Sequence, residues 1–341
     1  MRARIAAFVG VLLLLAAAGW WVLTGPRPRA APPAPPTNTR FVAGADALAR
    51  IRSAPYLVFL NLEQSEGYGR VALASLDAPD ERYLTALECE RVYFAGGRGL
   101  CLAADRGALA TYRAHVFGAA FGPGPGLPLS GFPSRARVAP DGRHAAFTVF
   151  ESGHSYAETG FSTRTTIVDA ESAEALADLE AWPVTRDGRP FQAVDFNFWG
   201  VTFAPDGDRL FATLATGGET LLVTGSLAAQ RLRVLRSGGE CPSLSPDGRR
   251  LVFKVRDAAR GELAFRLHTL ELDSGAEVAL DGETRSVDDQ AAWLDDRHVL
   301  YAVPAVRVPP TGGMDVFVME AAPGATPRLL LEQATSPAVV R

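Results

Sequence analysis

Ser243-Leu244-Ser245-Pro246-Asp247-Gly248-Arg249-Arg250-Leu251-Val252-Phe253 decides the architecture, because the same phrase stands at two earlier places. Arg137-Val138-Ala139-Pro140-Asp141-Gly142-Arg143-His144-Ala145-Ala146-Phe147 is one. Thr202-Phe203-Ala204-Pro205-Asp206-Gly207-Asp208-Arg209-Leu210-Phe211-Ala212 is the other. Each reads as a hairpin: a strand, a proline that sets φ at a turn, an aspartate able to bond its own backbone, a glycine taking φ > 0, and a second apolar strand. The aspartate therefore has a turn to build before any chemistry need be considered. Ala292-Trp293-Leu294-Asp295-Asp296-Arg297-His298-Val299-Leu300-Tyr301 keeps the pattern in degraded form, and Val92 to Leu102 replaces the acidic turn with glycines.

Working outward, each hairpin is followed by a third apolar stretch (Thr165–Asp169, Thr220–Gly225, Leu267–Asp273, Asp315–Glu320). A short fourth one usually comes next (Arg231–Leu235, Glu277–Leu280, Arg328–Leu331). Four strands per unit, repeated, is the grammar of a propeller blade. The turn aspartates lie 65 residues apart from Asp141 to Asp206 and 41 from Asp206 to Asp247, which suits blades with one insertion, placed between Glu171 and Asp195. A short helix is expected within it, over Ser172–Trp182. The units fall near 55–87, 89–130, 134–195, 198–237, 240–282 and 288–332, which makes six. The first lacks an inner strand, since Tyr56-Leu57-Val58-Phe59 aligns with second strands. Ser336-Pro337-Ala338-Val339-Val340 aligns with the inner strand at Cys241–Ser245 and is expected to supply it, closing the ring and removing two open edges.

Over residues 55–340 these hairpins resemble the repeat of TolB-like six-bladed propellers. Asn197–Ala204, Glu240–Gly248 and Arg285–Gln290 are similar to an uncharacterised exported branch of that family. The resemblance implies an extracytoplasmic propeller that binds proteins or small ligands. TolB itself serves an envelope system behind a separate N-terminal domain, and the segment preceding the propeller here reads as something else.

That segment is expected to be a membrane anchor, residues 1–24, followed by a proline-rich linker, 25–40, and the propeller, 41–341. Ile5 to Leu23 is nineteen consecutive uncharged residues, as a helix about 28 Å, close to a hydrocarbon core. Arg2 and Arg4 favour a cytoplasmic start and Trp20 and Trp21 an interfacial end. The competing reading is a signal peptide cleaved near Ala16–Ala18, which also exports the body. Six prolines between Gly25 and Thr37 make the linker extended. The localisation expected is a single-pass membrane protein with its C-terminal domain outside the cytoplasm, or a secreted or periplasmic one if cleaved. Of 34 basic residues five lie in the first forty positions, which hold no acid; the rest of the chain carries 29 against 38 acidic. Such an acidic body argues against nucleic acid as a partner.

Enzymatic signatures are thin. Gly153-His154-Ser155-Tyr156-Ala157 approaches a nucleophile-elbow pattern, but it falls between two strands of a blade, with no α/β sheet for the elbow to crown. The five histidines (His115, His144, His154, His268, His298) have no metal spacing, and one turn aspartate per blade cannot supply a calcium shell. No catalytic residue, metal or cofactor is assigned. Cys89, Cys101 and Cys241 are an odd set for an exported chain. In the hairpin register Cys101 stands opposite Val92, so a bridge to Cys89 requires Cys89 to leave the strand.

The remaining candidate is positional. Segments leading into the inner strands gather at one mouth of the channel and carry Glu88, Glu90, Asn197, Trp199, Glu240, Asp288, Asp289 and Gln290. Loops on the same face add His154, Tyr156 and Arg256. Rigid blades aim such residues at one axis. The expectation is an acidic, aromatic-edged recognition site for a cation, an amine or a basic peptide. The function expected is a tethered, non-enzymatic recognition module for an envelope protein or small cationic ligand. The alternatives are a lyase- or lactonase-type enzyme with three or more metal-binding side chains converging at the axis, or a TolB-like envelope component. Trp199 could instead wedge between blades.

Overall fold

The Pro-Asp-Gly phrases fold as hairpins whose turns the aspartates hold. Asp141 Oδ1 accepts the Arg143 amide at 3.0 Å, Asp206 Oδ1 accepts those of Asp208 and Arg209 at 3.0 and 2.8 Å, and Asp247 Oδ1 accepts that of Arg249 at 3.1 Å. Gly142 shows why glycine follows. Its φ is +71°, and a Cβ there would stand 2.3 Å from the Gly96 carbonyl oxygen in the glycine turn of the preceding blade. Any side chain would be both strained and obstructed.

The computed structural model describes residues 38–341 except 108, 155, 157–159, 260, 262–263 and 306–312. The chain is an all-β, six-bladed propeller. The expected anchor, residues 1–24, most of the linker and Ser155 lie outside the described residues. Among those described, no helix is long and apolar enough to cross a membrane.

Inner strands Arg91–Ala95, Phe132–Val138, Asn197–Phe203, Glu240–Leu244, Ala292–Trp293 and Ala334–Val340 touch one another in sequence around the axis. The last belongs to the first blade. It pairs antiparallel with Tyr56–Asn61, so the chain's end completes the sheet near its beginning. Arg82 reinforces the join: its buried guanidinium donates to Asn61 Oδ1 at 2.6 Å and to the backbone carbonyls of Gln333 and Glu332.

Both faces of each blade are buried, and strand alternation deals residues to the two seams. Leu57 and Phe59 pack towards the sixth blade with Leu300, Ala302 and Val316, while Tyr56, Val58 and Leu60 pack towards the second with Val92, Phe94 and Cys101. The described core divides into six such clusters, one for each seam.

Two expectations need correction. The insertion is not wholly part of the third blade. Ala175–Asp178 supplies that blade's outer strand, but Val184–Arg186 and Arg189–Phe191 form a hairpin on the outer edge of the fourth, parallel to Arg231–Ser237. The helix expected over Ser172–Trp182 reduces to one 3-10 turn at Leu179–Ala181, because Leu179 and Trp182 are drawn into the seam between blades three and four. Arg40–Val42 is a strand parallel to Glu81–Glu88, followed by a helix at Ala45–Ile51 that buries Ala47 and Ile51.

Candidate functional site

Arg135 and Lys254 organise the channel mouth. Arg135 comes from the inner strand of the third blade and lines the cleft, Lys254 comes from the second strand of the fifth, and both are buried. Lys254 Nζ meets Asp288 Oδ1 at 2.5 Å and lies 3.9 Å from Glu240 Oε2, which is buried as well. Arg256 Nε reaches the other Glu240 oxygen at 3.2 Å. Arg135 Nη1 stands 3.8 Å from Asp289, and Arg106 pairs with Glu90 at 2.5 Å. Burial works against the charges of Asp288 and Asp289, but Lys254 and Arg135 outweigh it for the first, and Arg135 and Arg91 for the second. Both carboxyls stay below the usual aspartate range.

The mouth is therefore not the acidic ring expected from the sequence. Its acids are matched by cations, Lys254 at Asp288 and Glu240, Arg106 at Glu90 and Arg135 near Asp289. Arg91, Arg106, Arg135 and Lys254 were not weighed in the sequence reading. Strand alternation alone would not have found the last two, because it deals residues to the two seams and not to the axis.

The ten expected residues separate in space. Glu88, Glu90, Asp288 and Asp289 line one cleft of about 340 Å³, with Arg91, Arg106 and Arg135. A second cavity of about 30 Å³, sharing Arg91, Arg135 and Asp289 with the cleft, is lined by Gln290. The Gln290 amide donates to the carbonyls of Gly200, Val201 and Pro242 at 3.1, 3.2 and 2.7 Å, tying blades four, five and six together. Asn197 is a seam residue whose Oδ1 accepts the Thr163 amide at 2.7 Å. Trp199 is buried between blades, its ring stacked 4.5 Å from that of Tyr156. Tyr156 in turn bonds Ser134 Oγ at 2.5 Å and lies beneath the Arg135 guanidinium. Burial raises its hydroxyl pKa despite Arg135. His154 packs edge-on against Phe132 at 5.8 Å, away from the cleft. Glu240 is sealed beneath the surface.

Cys89 and Cys101 are joined, with Cα atoms 5.5 Å apart. The predicted register holds, Cys101 facing Val92, and Cys89 has left the strand: it precedes Arg91–Ala95 and donates its amide to Gly69 of the first blade. That departure brings the sulfurs together and pins the Glu88–Arg91 wall of the cleft. Cys241 is free and buried. Among the described residues no group of three or more His, Cys, Asp or Glu stands where it could hold a metal ion.

No protein-family model and no curated protein matches the chain. Solved structures do. The class they define is the six-bladed propeller of TolB-like shape. TolB from Acinetobacter baumannii matches with a TM-score of 0.56 at 13% identity, over 84% of this chain and 66% of that one. The alignment therefore spans just under two thirds of the TolB chain. A chain of the nidogen/laminin complex matches with a TM-score of 0.55 at 11% identity, over 84% of this chain and 98% of that one. A puromycin-hydrolysing peptidase from Mycobacterium tuberculosis follows at 0.49 and 14% identity, over 81% and 45%. Identities this low show a shared fold and nothing of activity.

Proposed function

We propose that this chain is an exported propeller, tethered through its N-terminal residues, that recognises a protein or ligand at the mouth lined by blades one, two, three and six. The observation that carries this reading is the cleft itself. Charged side chains from four blades converge there in a preformed concavity held by a disulfide and a closed ring, an arrangement suited to selecting a partner's polar groups. Acids and bases are largely paired with one another, which favours binding over proton transfer.

Tyr68 is exposed on the cleft rim and Leu329 on the outer strand of the sixth blade. A photo-crosslinking residue at position 68 is expected to yield a discrete adduct in living cells, and one at position 329 none. Adducts only from position 329, or none from either, would overturn the reading. Export is supported by the Cys89–Cys101 bridge, since such pairs persist in oxidising compartments. Alkylation of freshly quenched cells should find one free thiol, that of Cys241; three would place the domain in a reducing compartment.

A further inference from the structure

The hydrogen bonding of Arg135 is incomplete. A guanidinium has five N–H donors. Among the described residues Nη1 reaches only the carbonyl of its neighbour Ser134, at 3.1 Å, and Nη2 only that of Asp288, at 3.3 Å. Nε has no acceptor among them. Its nearest carboxylate, Asp289 at 3.8 Å, is beyond hydrogen-bond range. Asp289 is engaged elsewhere, accepting the Gln290 amide at 2.8 Å and contacting Thr335 Oγ1 at 3.4 Å. The Arg135 side chain is nine-tenths buried, yet it forms part of the cleft wall. A buried, under-bonded guanidinium is costly unless something fills its donor sites.

We propose that the cleft binds its ligand through a single carboxylate seated on Arg135. The inference rests on reading the mouth as a recognition site. The planar fork of an arginine fits a carboxylate or a phosphate; the remaining charges choose between them. Glu88, Glu90, Asp288 and Asp289 face the cleft against Arg91, Arg106 and Arg135. With Lys254 paired to Asp288 as well, acids and bases are in balance, so no cationic surplus is left to hold a dianion, while a monoanion paired directly to Arg135 is accepted. Glu88, which has no hydrogen-bonded or ionic side-chain partner among the described residues, limits the affinity for any anion. The carboxylate could come from a small acid or from the end of a polypeptide, and the test separates these sources.

The full chain, labelled with ¹⁵N at arginine Nε, is titrated with N-acetylglycine, with N-acetyl-triglycine bearing a free C-terminus, and with the same peptide amidated. The Arg135 resonance is assigned by its loss in R135K. Both free acids are expected to move it saturably and the amide not at all, and binding followed on the neighbouring Arg91 resonance should be weakened at least about tenfold in R135K. E88Q, an exposed change that spares the fold, should tighten binding roughly two- to five-fold. A tighter fit for the peptide than for N-acetylglycine assigns a chain end, and equal affinity a small acid. No saturable shift from either acid, or an equal shift from the amide or from sodium chloride, would overturn the proposal. The crosslink from position 68 would be untouched by that result.

Discussion

Leu57 and Val339, from opposite ends of the described chain, face each other as antiparallel neighbours in the first blade, and both pack into the seam with the sixth. One pair of residues thus joins the termini and closes the ring.

Removing residues 334–341 should consequently unfold more than the first blade, since the inner strand of one sheet and one wall of two seams go with it. The expected result is loss of the cooperative thermal transition by circular dichroism. V339D, which buries a charge in the same seam, should cost about 3 kcal/mol or more in urea. L329D, on an exposed outer strand, should cost little.

Lys254 neutralises Glu240 and Asp288. K254M leaves Glu240 buried with only Arg256 beside it, so a loss of about 3–5 kcal/mol is expected. The double variant K254M/E240M removes both buried charges and should recover most of that loss. Equal destabilisation in single and double variants would show that packing, and not charge, is what Lys254 contributes.

Glu180 supplies a pH dependence. It sits in the seam between blades three and four, where burial pushes its carboxyl up to about 8 although the Thr165 and Phe198 amides donate to it. An unfolded glutamate titrates near its ordinary value of 4.5. The folded chain therefore holds this proton more tightly than the unfolded one. The stabilisation is complete below about 4.5 and disappears as pH rises through about 8. Urea midpoints measured from pH 5 to 8 should fall along this series and fall less in E180Q, whose carbonyl can still accept an amide. Parallel slopes in the two proteins would sink the assignment.

The Cys89–Cys101 bridge closes a short loop across the first seam. Its removal in C89S/C101S should cost about 2–4 kcal/mol, and reductant should bring the wild type down to the same urea midpoint. Because Glu88 and Glu90 flank Cys89, the variant should also weaken whatever ligand the cleft holds.

Much of the ring was legible because its repeats are local. A Pro-Asp-Gly turn is built within four residues by one carboxylate and one positive φ, so Asp141, Asp206 and Asp247 reveal their hairpins without any distant contact. The strand missing at one end and supplied at the other was readable for the same reason. The channel mouth was less so. Glu88, Glu90, Asp288 and Asp289 line one cleft, whereas Asn197, Trp199 and Glu240 are seam or interior residues. Strand alternation marks two faces but, where both are buried, does not say which residue at a strand's end turns to the axis.

The sequence by itself determined the strand-and-turn grammar, the six units and the manner of closure, since turn chemistry and two-residue alternation act between near neighbours. Only the tertiary structure decided that the hairpin at 184–191 joins the fourth blade, that Cys89 leaves its strand to meet Cys101, and that Lys254 and Arg135 answer the acids of the mouth. Those meetings join residues of different strands or blades, with no shared period to announce them. They arise only once the seams have packed and set each blade's angle to the axis.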